Sequence, residues 1–465
     1  MIEPAAHVPV RSAVPGLAWP GLPAPEGQAL LAAQFQFDRT QWWPAEKLKA
    51  AQFAQLRRLV AHAVDHVPHY RDGLAKLGLA GAAALTPEIY SRWPVLDKRA
   101  VQADAARFEA DALPAGHGEM RLITTSGSSG EPLRAATTDA AIAVQNALVL
   151  RSLLWYRFDF SRRYDMIRMY GGTGEYVDWG PPAALAFRTG TTAQLPATED
   201  YRRQLEWLCG RAPAYLLING FNLNALLAES QACGLVPAGL RAVITMGEVL
   251  PAGTAALARR LWQAEVHDVY SACEVGPIAF QCPDGPGLHV QGEHVYVEVL
   301  RDDGSQCMPG ESGRVVVTDL HNFAMPLLRY ELRDFATVGS PCACGRGLPV
   351  IGEVLGRTGQ VAVDPTGRRF FGRVNRGFWS ALSPVTQRQV VQVAPGRMEV
   401  RYVAPRALTA EEMSALTREL CAALGYAYAV GFTRMDSIAR NAGGKFDEFL
   451  SLIEPEAEPD DPPAH

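Results

Sequence analysis

The sequence predicts an α/β protein with a large N-terminal domain, built from layered β-α-β sheets and a β-rich subdomain, and a small mobile α+β C-terminal domain. Its 465 residues exceed what one hydrophobic core usually holds. Between residues 163 and 250, strand-like and helix-like segments alternate, which is typical of a parallel sheet covered by helices. After about residue 285, apolar and polar residues alternate between turn signals, which indicates the β-rich subdomain.

Two amphipathic helices are predicted in the first third of the chain. Apolar residues at helical spacing predict a helix from Pro44 to about Asp65. A second helix is predicted from Asp139 to about Trp155, with Thr138 as its N-cap. A short apolar run at 120–123 precedes it. We therefore expect a strand at this run, followed by a Gly/Ser/Thr-rich loop that leads into the second helix.

The alternating region and the β-rich region supply the remaining elements of the large domain. The predicted strands are Met166–Tyr170, Tyr215–Ile218, Ala242–Thr245, His294–Val299 and Gly313–Thr318, and the predicted helices are 199–209 and 222–233. A boundary is expected where Gly and Pro cluster near 356–369. The large domain is therefore assigned to 1–357, with its β-rich subdomain at about 285–357.

The small domain is assigned to residues 358–453. It contains a predicted strand at Met398–Val403 and a predicted helix from Thr409 to about Leu424. Residues 454–465 are acidic and rich in proline, which predicts a disordered tail.

Composition narrows the class of function. The net charge of −5 and the lack of a dense Lys/Arg block argue against a nucleic-acid partner. No apolar run approaches the roughly 18 residues that span a bilayer, so no membrane partner is expected. The N-terminus lacks the basic start and apolar core of a signal peptide, and a cytoplasmic protein is therefore expected.

The Gly/Ser/Thr-rich loop can present backbone N–H groups and hydroxyls to a polyphosphate. Its residues are Thr125, Ser126, Gly127, Ser128, Ser129 and Gly130. It is not a common P-loop, because Glu131 follows the last glycine. Taken alone, such a segment is more often a plain flexible loop, and only the motifs further along the chain favour phosphate binding.

Those motifs occur in a fixed order along the chain. They are Met246–Glu248, Asp268–Glu274, Arg329–Asp334, Leu355–Thr358 and Asn441–Lys445. Together with the loop, they resemble the adenylate-forming superfamily of acyl-CoA synthetases, adenylation domains and luciferases. The closest branch resembles the phenylacetate–CoA ligases and their CapK-like relatives, as do Gln41–Trp43, Val67–Arg71, Pro94–Lys98 and Pro384–Gln387. The resemblance covers about residues 35–453.

The resemblance implies a role for each motif. The loop would hold the β- and γ-phosphates, and Arg357 would reach ribose or phosphate. Glu274 would be the Mg²⁺ carboxylate, and Lys445 would bring a mobile cation to the junction of carboxylate and phosphate; these two are the candidate catalytic residues. The remaining nucleotide-binding candidates are Tyr270, which would stack on adenine, Gly247 and Glu248, which would line the base, Ser271, and Asp334, which would bind the ribose hydroxyls. The candidate acid pocket comprises Tyr170, Gly171, Gly172 and Asn219.

By the same resemblance, the chain would join a small-molecule carboxylic acid to ATP, release pyrophosphate, and pass the acyl group from the adenylate to a thiol. Coenzyme A is the expected acceptor, with ATP/AMP and Mg²⁺ at the site. Two alternatives remain open. One keeps adenylation but uses an amine or a carrier protein, and the other is a degenerate, non-catalytic nucleotide-binding protein.

Several residues depart from the family pattern. Arg333 stands where glycine is usual before Asp334, and Cys273 replaces a hydroxyl residue before Glu274. At the hinge, Gly359-Gln360 replaces a common pair of aspartates. The departure at the hinge bears on the thioester step and not on adenylation.

Three thiols and one imidazole predict a structural zinc site. Cys282 and His289 form one short cluster, and Cys342 and Cys344 form another. Thiolates plus imidazole in a four-coordinate set suit Zn²⁺, and the phenylacetate–CoA ligase branch carries a similar set. The alternative is that these are reduced side chains in polar loops. His294 and Cys307 are weaker candidates for ligands.

Overall fold

The computed structural model describes residues 10–124, 133–169, 171–357, 361–367, 369–371, 379, 382–438 and 449–453. Within them, the chain forms two compact units that divide between Val354 and Leu355. The domain boundary after residue 357 stays a prediction, and the acidic tail lies outside the described residues. No helix in the described ranges is long and apolar enough to cross a membrane.

The helices of the first unit are α1 (Pro25–Thr40), α2 (Ala45–His66), α3 (Gly73–Lys76), α4 (Pro87–Tyr90), α5 (Lys98–Ala103), α6 (Asp139–Trp155), α7 (Ala183–Ala186), α8 (Tyr201–Arg211), α9 (Gly220–Cys233) and α10 (Thr254–Trp262). Helix α2 confirms the amphipathic prediction, since Leu56, Leu59, Val60 and Ala63 are fully buried on one stripe. Truncation of a leucine in that stripe to alanine would cost about 2–5 kcal/mol of folding free energy.

Helix α6 begins and ends where the sequence predicts. The hydroxyl of Thr138 accepts a hydrogen bond from the backbone N–H of Ala141 at 3.1 Å, which caps the helix.

One sheet dominates the first unit. Its strands are β3 (Tyr164–Arg168), β4 (Gly174–Tyr176), β5 (Thr192–Pro196), β6 (Tyr215–Ile218), β7 (Ala242–Met246), β8 (Glu265–Ala272), β9 (Gly276–Gln281), β10 (Leu288–Val290), β11 (Val295–Leu300), β12 (Ser312–Asp319), β13 (Tyr330–Val338) and β14 (Val350–Arg357). Their order across the sheet is β11-β12-β13-β14-β10-β9-β8-β7-β6-β3-β5-β4.

The centre of this sheet is parallel, as the alternating sequence predicts. Strands β5, β3, β6, β7 and β8 run in one direction, and helices α8, α9 and α10 connect them. From β9 onward the strands are antiparallel and extend the same sheet. The mixed α/β class and its β-rich second part are confirmed. The strand predicted at Met166–Tyr170 begins two residues earlier, at Tyr164.

The predicted passage from strand to loop to helix is wrong. Strand β1 (Met120–Thr124) pairs antiparallel with a second strand, β2 (Arg134–Thr138), and α6 follows β2. Residues 125–130 therefore lie between two strands in the sequence and do not precede a helix. Strand β2 was not predicted because its Ala and Thr residues are only weakly apolar, although Ala135 and Ala136 are buried.

The second unit contains the short strands β15 (Val361–Val363) and β16 (Arg369–Phe371) and a separate sheet. That sheet has the order β19-β18-β17-β20 and comprises β17 (Gln387–Ala394), β18 (Arg397–Val403), β19 (Ala429–Arg434) and β20 (Phe449–Ser451). Helix α11 (Ala410–Leu424) begins with a capping box of Thr409 and Glu412 and buries Leu416 and Leu420. The predicted helix and the strand near 398–403 are confirmed.

Candidate functional site

The carboxyl ends of four adjacent parallel strands carry six of the candidate residues. Gly171 and Gly172 follow β3, Asn219 follows β6, Gly247 and Glu248 follow β7, and Glu274 follows β8. Because parallel strands end at one edge of the sheet, these segments lie along that edge, outside which ligands bind in open α/β sheets.

Two of these segments touch directly. The Asn219 side chain donates a hydrogen bond to the carbonyl of Met246 at 3.1 Å. Gly247 has a φ of +82°, and a Cβ there would lie 3.2 Å from the Asn219 amide nitrogen. Only glycine combines that backbone conformation with so close an approach. The predicted acid pocket and the predicted base-binding segment are therefore neighbours.

Glu274 is held by two side chains that come from distant parts of the chain. The Lys98 ammonium lies 3.0 Å from Glu274 Oε1, and the Tyr330 hydroxyl donates to the same oxygen at 2.9 Å. Glu274 is 7% exposed. Both bonds end on Oε1, so among the described side chains no hydrogen bond is directed to Oε2. One carboxylate oxygen is anchored, and the other remains available to a cation.

The electrostatics of this cluster keep Glu274 ionised. Burial by itself raises the pKa of Glu274, but the charge of Lys98 and the hydrogen bonds of Lys98 and Tyr330 outweigh it and lower the pKa below its usual value. The pKa of the Tyr330 hydroxyl is raised, first by burial and then by the charge of Glu274. At neutral pH Glu274 is therefore a carboxylate and Tyr330 a neutral phenol.

Lys98 reaches Glu274 because its segment runs alongside β13. Leu96 bridges to Tyr330, with hydrogen bonds from the Leu96 N–H to the Arg329 carbonyl and from the Glu331 N–H to the Leu96 carbonyl. Asp97 then caps α5 by accepting a bond from the Arg99 N–H. Helix α5 thus begins at the site, with Lys98 as its first residue.

Tyr270 and Asp334 are joined by a hydrogen bond. The Tyr270 hydroxyl donates to Asp334 Oδ2 at 2.9 Å. Three strands separate β8 from β13 in the sheet, which in a flat sheet would place the two about 19 Å apart. The sheet must therefore curve strongly, and its curvature brings the strands that carry the predicted adenine and ribose residues together.

Arg333 carries backbone strain beside Asp334. Its φ is +61°, a left-handed conformation that favours glycine and costs other residues about 1 kcal/mol. A glycine, which the resemblance leads one to expect here, would adopt this conformation without that cost. The Arg333 guanidinium donates to Asp97 Oδ1 at 3.1 Å, which ties β13 to the start of α5.

The remaining predicted residues are not tested by this cluster. Ser271 lies in β8 and is half-buried, and Arg357 ends β14 as an exposed residue of the second compact unit. Thr125–Gly130, Tyr170 and Lys445 lie outside the described residues, and their roles stay predictions.

The four predicted zinc ligands converge. Cys282 follows β9, His289 lies in β10, and Cys342 and Cys344 lie between β13 and β14. All four donor atoms lie within 4.8 Å of one another. The Sγ atoms of Cys282 and Cys342 are 3.6 Å apart, close to the roughly 3.8 Å expected for two thiolates on a tetrahedral Zn²⁺ at about 2.3 Å, and all cysteines are free.

Neighbouring side chains make contacts that hold the Cys/His cluster in place. His289 Nε2 lies 3.2 Å from the Cys344 sulfur. The Arg346 guanidinium packs over the Trp42 and Trp155 rings at 4.9 and 4.6 Å and donates to Gln41 Oε1 at 3.0 Å. Burial raises the pKa of the Cys282 thiol. For the Cys344 thiol, hydrogen bonds from the backbone and the side chain of Arg346 outweigh burial, so its pKa is lowered. The donor set and its spacing fit a four-coordinate soft cation.

Comparison with known proteins adds independent findings. No family model matches the chain. The phenylacetate–coenzyme A ligase of Thermus thermophilus is 26% identical over 338 residues, which cover 69% of this chain and 72% of that protein. The namesake from Aromatoleum evansii is 24% identical over 326 residues, covering 68% and 72%.

Solved structures share the fold. A 2-hydroxyisobutyryl-CoA ligase, captured in the postadenylation state with 2-HIB-AMP, superposes with a TM-score of 0.69 at 18% identity, covering 89% of this chain and 91% of its own. An anthranilate CoA ligase in complex with anthranoyl-AMP gives a TM-score of 0.53 at 16% identity, covering 74% and 68%. Sequence and fold therefore lead to the same group of enzymes. The chain is similar in sequence to phenylacetate–CoA ligases and in fold to CoA ligases captured with acyl adenylates.

Two residues that contact Glu274, Lys98 and Tyr330, were not predicted from the sequence. Lys98 and Tyr330 lie in segments that were identified with the family, but neither was given a role. The order of motifs along the chain does not reveal them, because Lys98 and Glu274 are 176 residues apart in the chain. His294, a weak candidate for the zinc site, lies outside the Cys/His cluster and belongs to a different group of side chains.

A half-buried carboxylate, Asp268, makes the stability of the protein depend on pH. Burial raises the pKa of Asp268 to about 6, even though the Thr245 hydroxyl donates to it at 2.6 Å. A folded-state pKa above the usual value favours the protonated form, so this contribution to stability is present below about pH 4 and is lost as the pH rises through about 6.

We therefore expect Asp268→Asn to raise the free energy of unfolding at pH 7.5 by about 1–3 kcal/mol, because asparagine accepts the Thr245 bond without a charge. Urea unfolding of both proteins at several pH values measures the difference, which should shrink toward pH 4. A gain that is equal at all pH values would contradict the assignment.

Proposed function

We propose that this chain is an AMP-forming acid–thiol ligase that activates a carboxylic acid with ATP and transfers the acyl group to coenzyme A. The observation that supports it is the group of residues at the ends of β3, β6, β7 and β8, where Lys98 and Tyr330 anchor the carboxylate of Glu274, together with the Tyr270–Asp334 hydrogen bond. The relatives are named phenylacetate–coenzyme A ligases, and the structural neighbours hold acyl adenylates.

The reaction balances in two steps. In the first, a carboxylate oxygen of the acid attacks the α-phosphorus of ATP, the bond to the β-phosphate bridging oxygen breaks, and pyrophosphate leaves. In the second, the thiol sulfur of coenzyme A attacks the acyl carbon and loses its proton, and AMP departs with the carboxylate oxygen. We assign Lys445 to the first step, where a cation stabilises charge between the carboxylate and the phosphate.

The candidate site contains a donor that suits Mg²⁺. Glu274 remains ionised, and its Oε2 receives no hydrogen bond from a described side chain, so it can serve as an oxygen ligand of a hard cation. When bound, Mg²⁺ would neutralise charge on the phosphates. Lys98 supplies a fixed positive charge beside the same carboxylate. We propose that Asp334 binds ribose and that Tyr270 and Gly247–Glu248 bind the base.

Product analysis tests the proposal and its alternatives. Candidate aryl and aliphatic acids are incubated with ATP and Mg²⁺, and pyrophosphate is measured with coenzyme A, an amine or a carrier protein as acceptor. We expect acid-dependent pyrophosphate release and a coenzyme A thioester. Release with an amide or a carrier-bound product would favour the other acceptors. ATP binding with no pyrophosphate from any acid would favour a non-catalytic protein.

We place the enzyme in the cytoplasm.

We further propose that the Cys/His cluster binds a structural Zn²⁺. The four donors leave no coordination position for substrate or water, and they join the β9–β10 hairpin to the β13–β14 connection. The β9 strand directly follows the turn that carries Glu274, so the metal would fix the frame of that turn.

Replacement of Cys342 by serine tests this zinc proposal. We expect bound zinc to fall from about one equivalent to near zero and the melting temperature to drop by several degrees, because a structural metal contributes directly to folding. Metal analysis and thermal unfolding measure both. Cys233→Ser, at a half-buried cysteine outside the cluster, is the matched control. Zinc-free wild-type protein from zinc-supplemented cells would exclude the site.

A further inference from the structure

A second group of metal-binding side chains lies apart from the Cys/His cluster. One ring nitrogen each of His294 and His321 and one carboxylate oxygen of Asp319 lie within 4.8 Å of one another. His294 and Asp319 are fully buried, at 0% and 2% exposure. Asp319 ends β12, and His294 immediately precedes β11, the neighbouring strand. Two adjacent strands therefore hold the group rigidly.

Each of these three side chains has one polar atom that lacks a hydrogen-bond partner. His294 Nε2 is 2.9 Å from the Val275 carbonyl, which can only accept, so Nε2 carries the proton and Nδ1 is an acceptor. Three atoms are buried and have no hydrogen-bond partner: His294 Nδ1, Asp319 Oδ2 and His321 Nδ1. Three unsatisfied polar atoms within one small buried volume are costly unless something else satisfies them.

One cation satisfies all three atoms, whereas one proton does not. A proton on either ring would serve a single pair and leave the third atom without a partner. The other carboxylate oxygen, Asp319 Oδ1, lies 3.4 Å from His294 Nδ1 and accepts a hydrogen bond from the His321 backbone N–H at 2.9 Å, so Oδ2 is the oxygen that a cation would bind.

We propose that His294, Asp319 and His321 bind a second divalent first-row metal ion, distinct from the Cys/His zinc site. Two imidazoles and one carboxylate suit such an ion, and a backbone carbonyl on the opposite ring nitrogen is the usual support of a metal-binding histidine. Here that carbonyl belongs to Val275, the residue after Glu274. The metal would fix His294 and, through it, the turn that carries Glu274.

Cobalt stoichiometry tests the second site. Full-length protein is stripped with a chelator, loaded with excess Co²⁺, desalted, and analysed for bound metal. We expect Asp319→Asn and His321→Gln each to bind one equivalent less than the wild type. The absorption of cobalt bound to thiolate, which reports the Cys/His cluster alone, should remain unchanged in both variants.

The matched control is His66→Gln. His66 also pairs with a carboxylate, Asp111 at 2.9 Å, but this pair is exposed and has no third ligand. This variant should bind as much cobalt as the wild type. Equal cobalt in the wild type and in the His321→Gln variant would overturn the proposal. If Asp319→Asn fails to fold, His321→Gln, which alters a less buried side chain, decides the result.

Discussion

Replacement of Glu274 by glutamine is expected to lower the rate of acid-dependent pyrophosphate release by about 10²–10³-fold, because an amide cannot supply the negative charge that holds a cation against the phosphates. Glutamine keeps an oxygen that can accept from Lys98 and Tyr330, so the fold should persist. Continuous pyrophosphate assay with saturating ATP measures the rate, and circular dichroism measures the fold.

A matched carboxylate control separates this effect from a change in net charge. Glu26 lies exposed at the start of α1, and Glu26→Gln should leave the rate unchanged. Higher Mg²⁺ concentration should partly restore the Glu274→Gln rate if the loss arises from weakened metal binding. A rate within twofold of the wild type would remove Glu274 from the proposed machinery.

Lys445→Ala is expected to lower adenylation by about 10²–10³-fold while ATP binding stays nearly intact, because the lysine is assigned to charge that develops between carboxylate and phosphate. The second half-reaction should be spared. Enzyme supplied with a prepared acyl adenylate and coenzyme A should form thioester at close to the wild-type rate, since the small domain is expected to have moved the lysine away by then.

The exposed residue Lys76 provides the control for this lysine. Lys76→Ala should leave both half-reactions unchanged. If Lys445→Ala slowed both half-reactions equally, the residue would act on the fold or on ATP binding, and the assignment to adenylation would be lost.

Much of the fold could be predicted from the sequence because several helices and strands have strong local patterns of capping and apolar residues. The helix Asp139–Trp155 has both an N-cap and helical spacing, and the strand Tyr215–Ile218 is a compact apolar run, so their bounds agree with the structure. The hairpin of β1 and β2 was missed because β2 is formed by Arg, Ala and Thr. Its strand character depends on pairing and burial, which a local pattern does not contain.

In the candidate site, too, some residues could be predicted from the sequence and some contacts could not. Glycines and carboxylates at strand ends, such as Gly247 and Glu274, could be identified from the order of motifs. The contact of Lys98 with Glu274 could not, because it depends on Leu96 pairing beside Tyr330 across more than 200 residues. The pairing of Tyr270 with Asp334 depends on the curvature of the sheet, which no single segment specifies.

The most direct test of the central claim is the fate of a labelled oxygen. A carboxylic acid that supports turnover is labelled with ¹⁸O in both carboxylate oxygens and incubated with ATP, Mg²⁺ and coenzyme A, and the AMP is analysed by mass spectrometry. Attack of the carboxylate on the α-phosphorus predicts one ¹⁸O atom in each AMP formed. Unlabelled AMP, or label in phosphate or pyrophosphate instead, would contradict an acyl-adenylate intermediate.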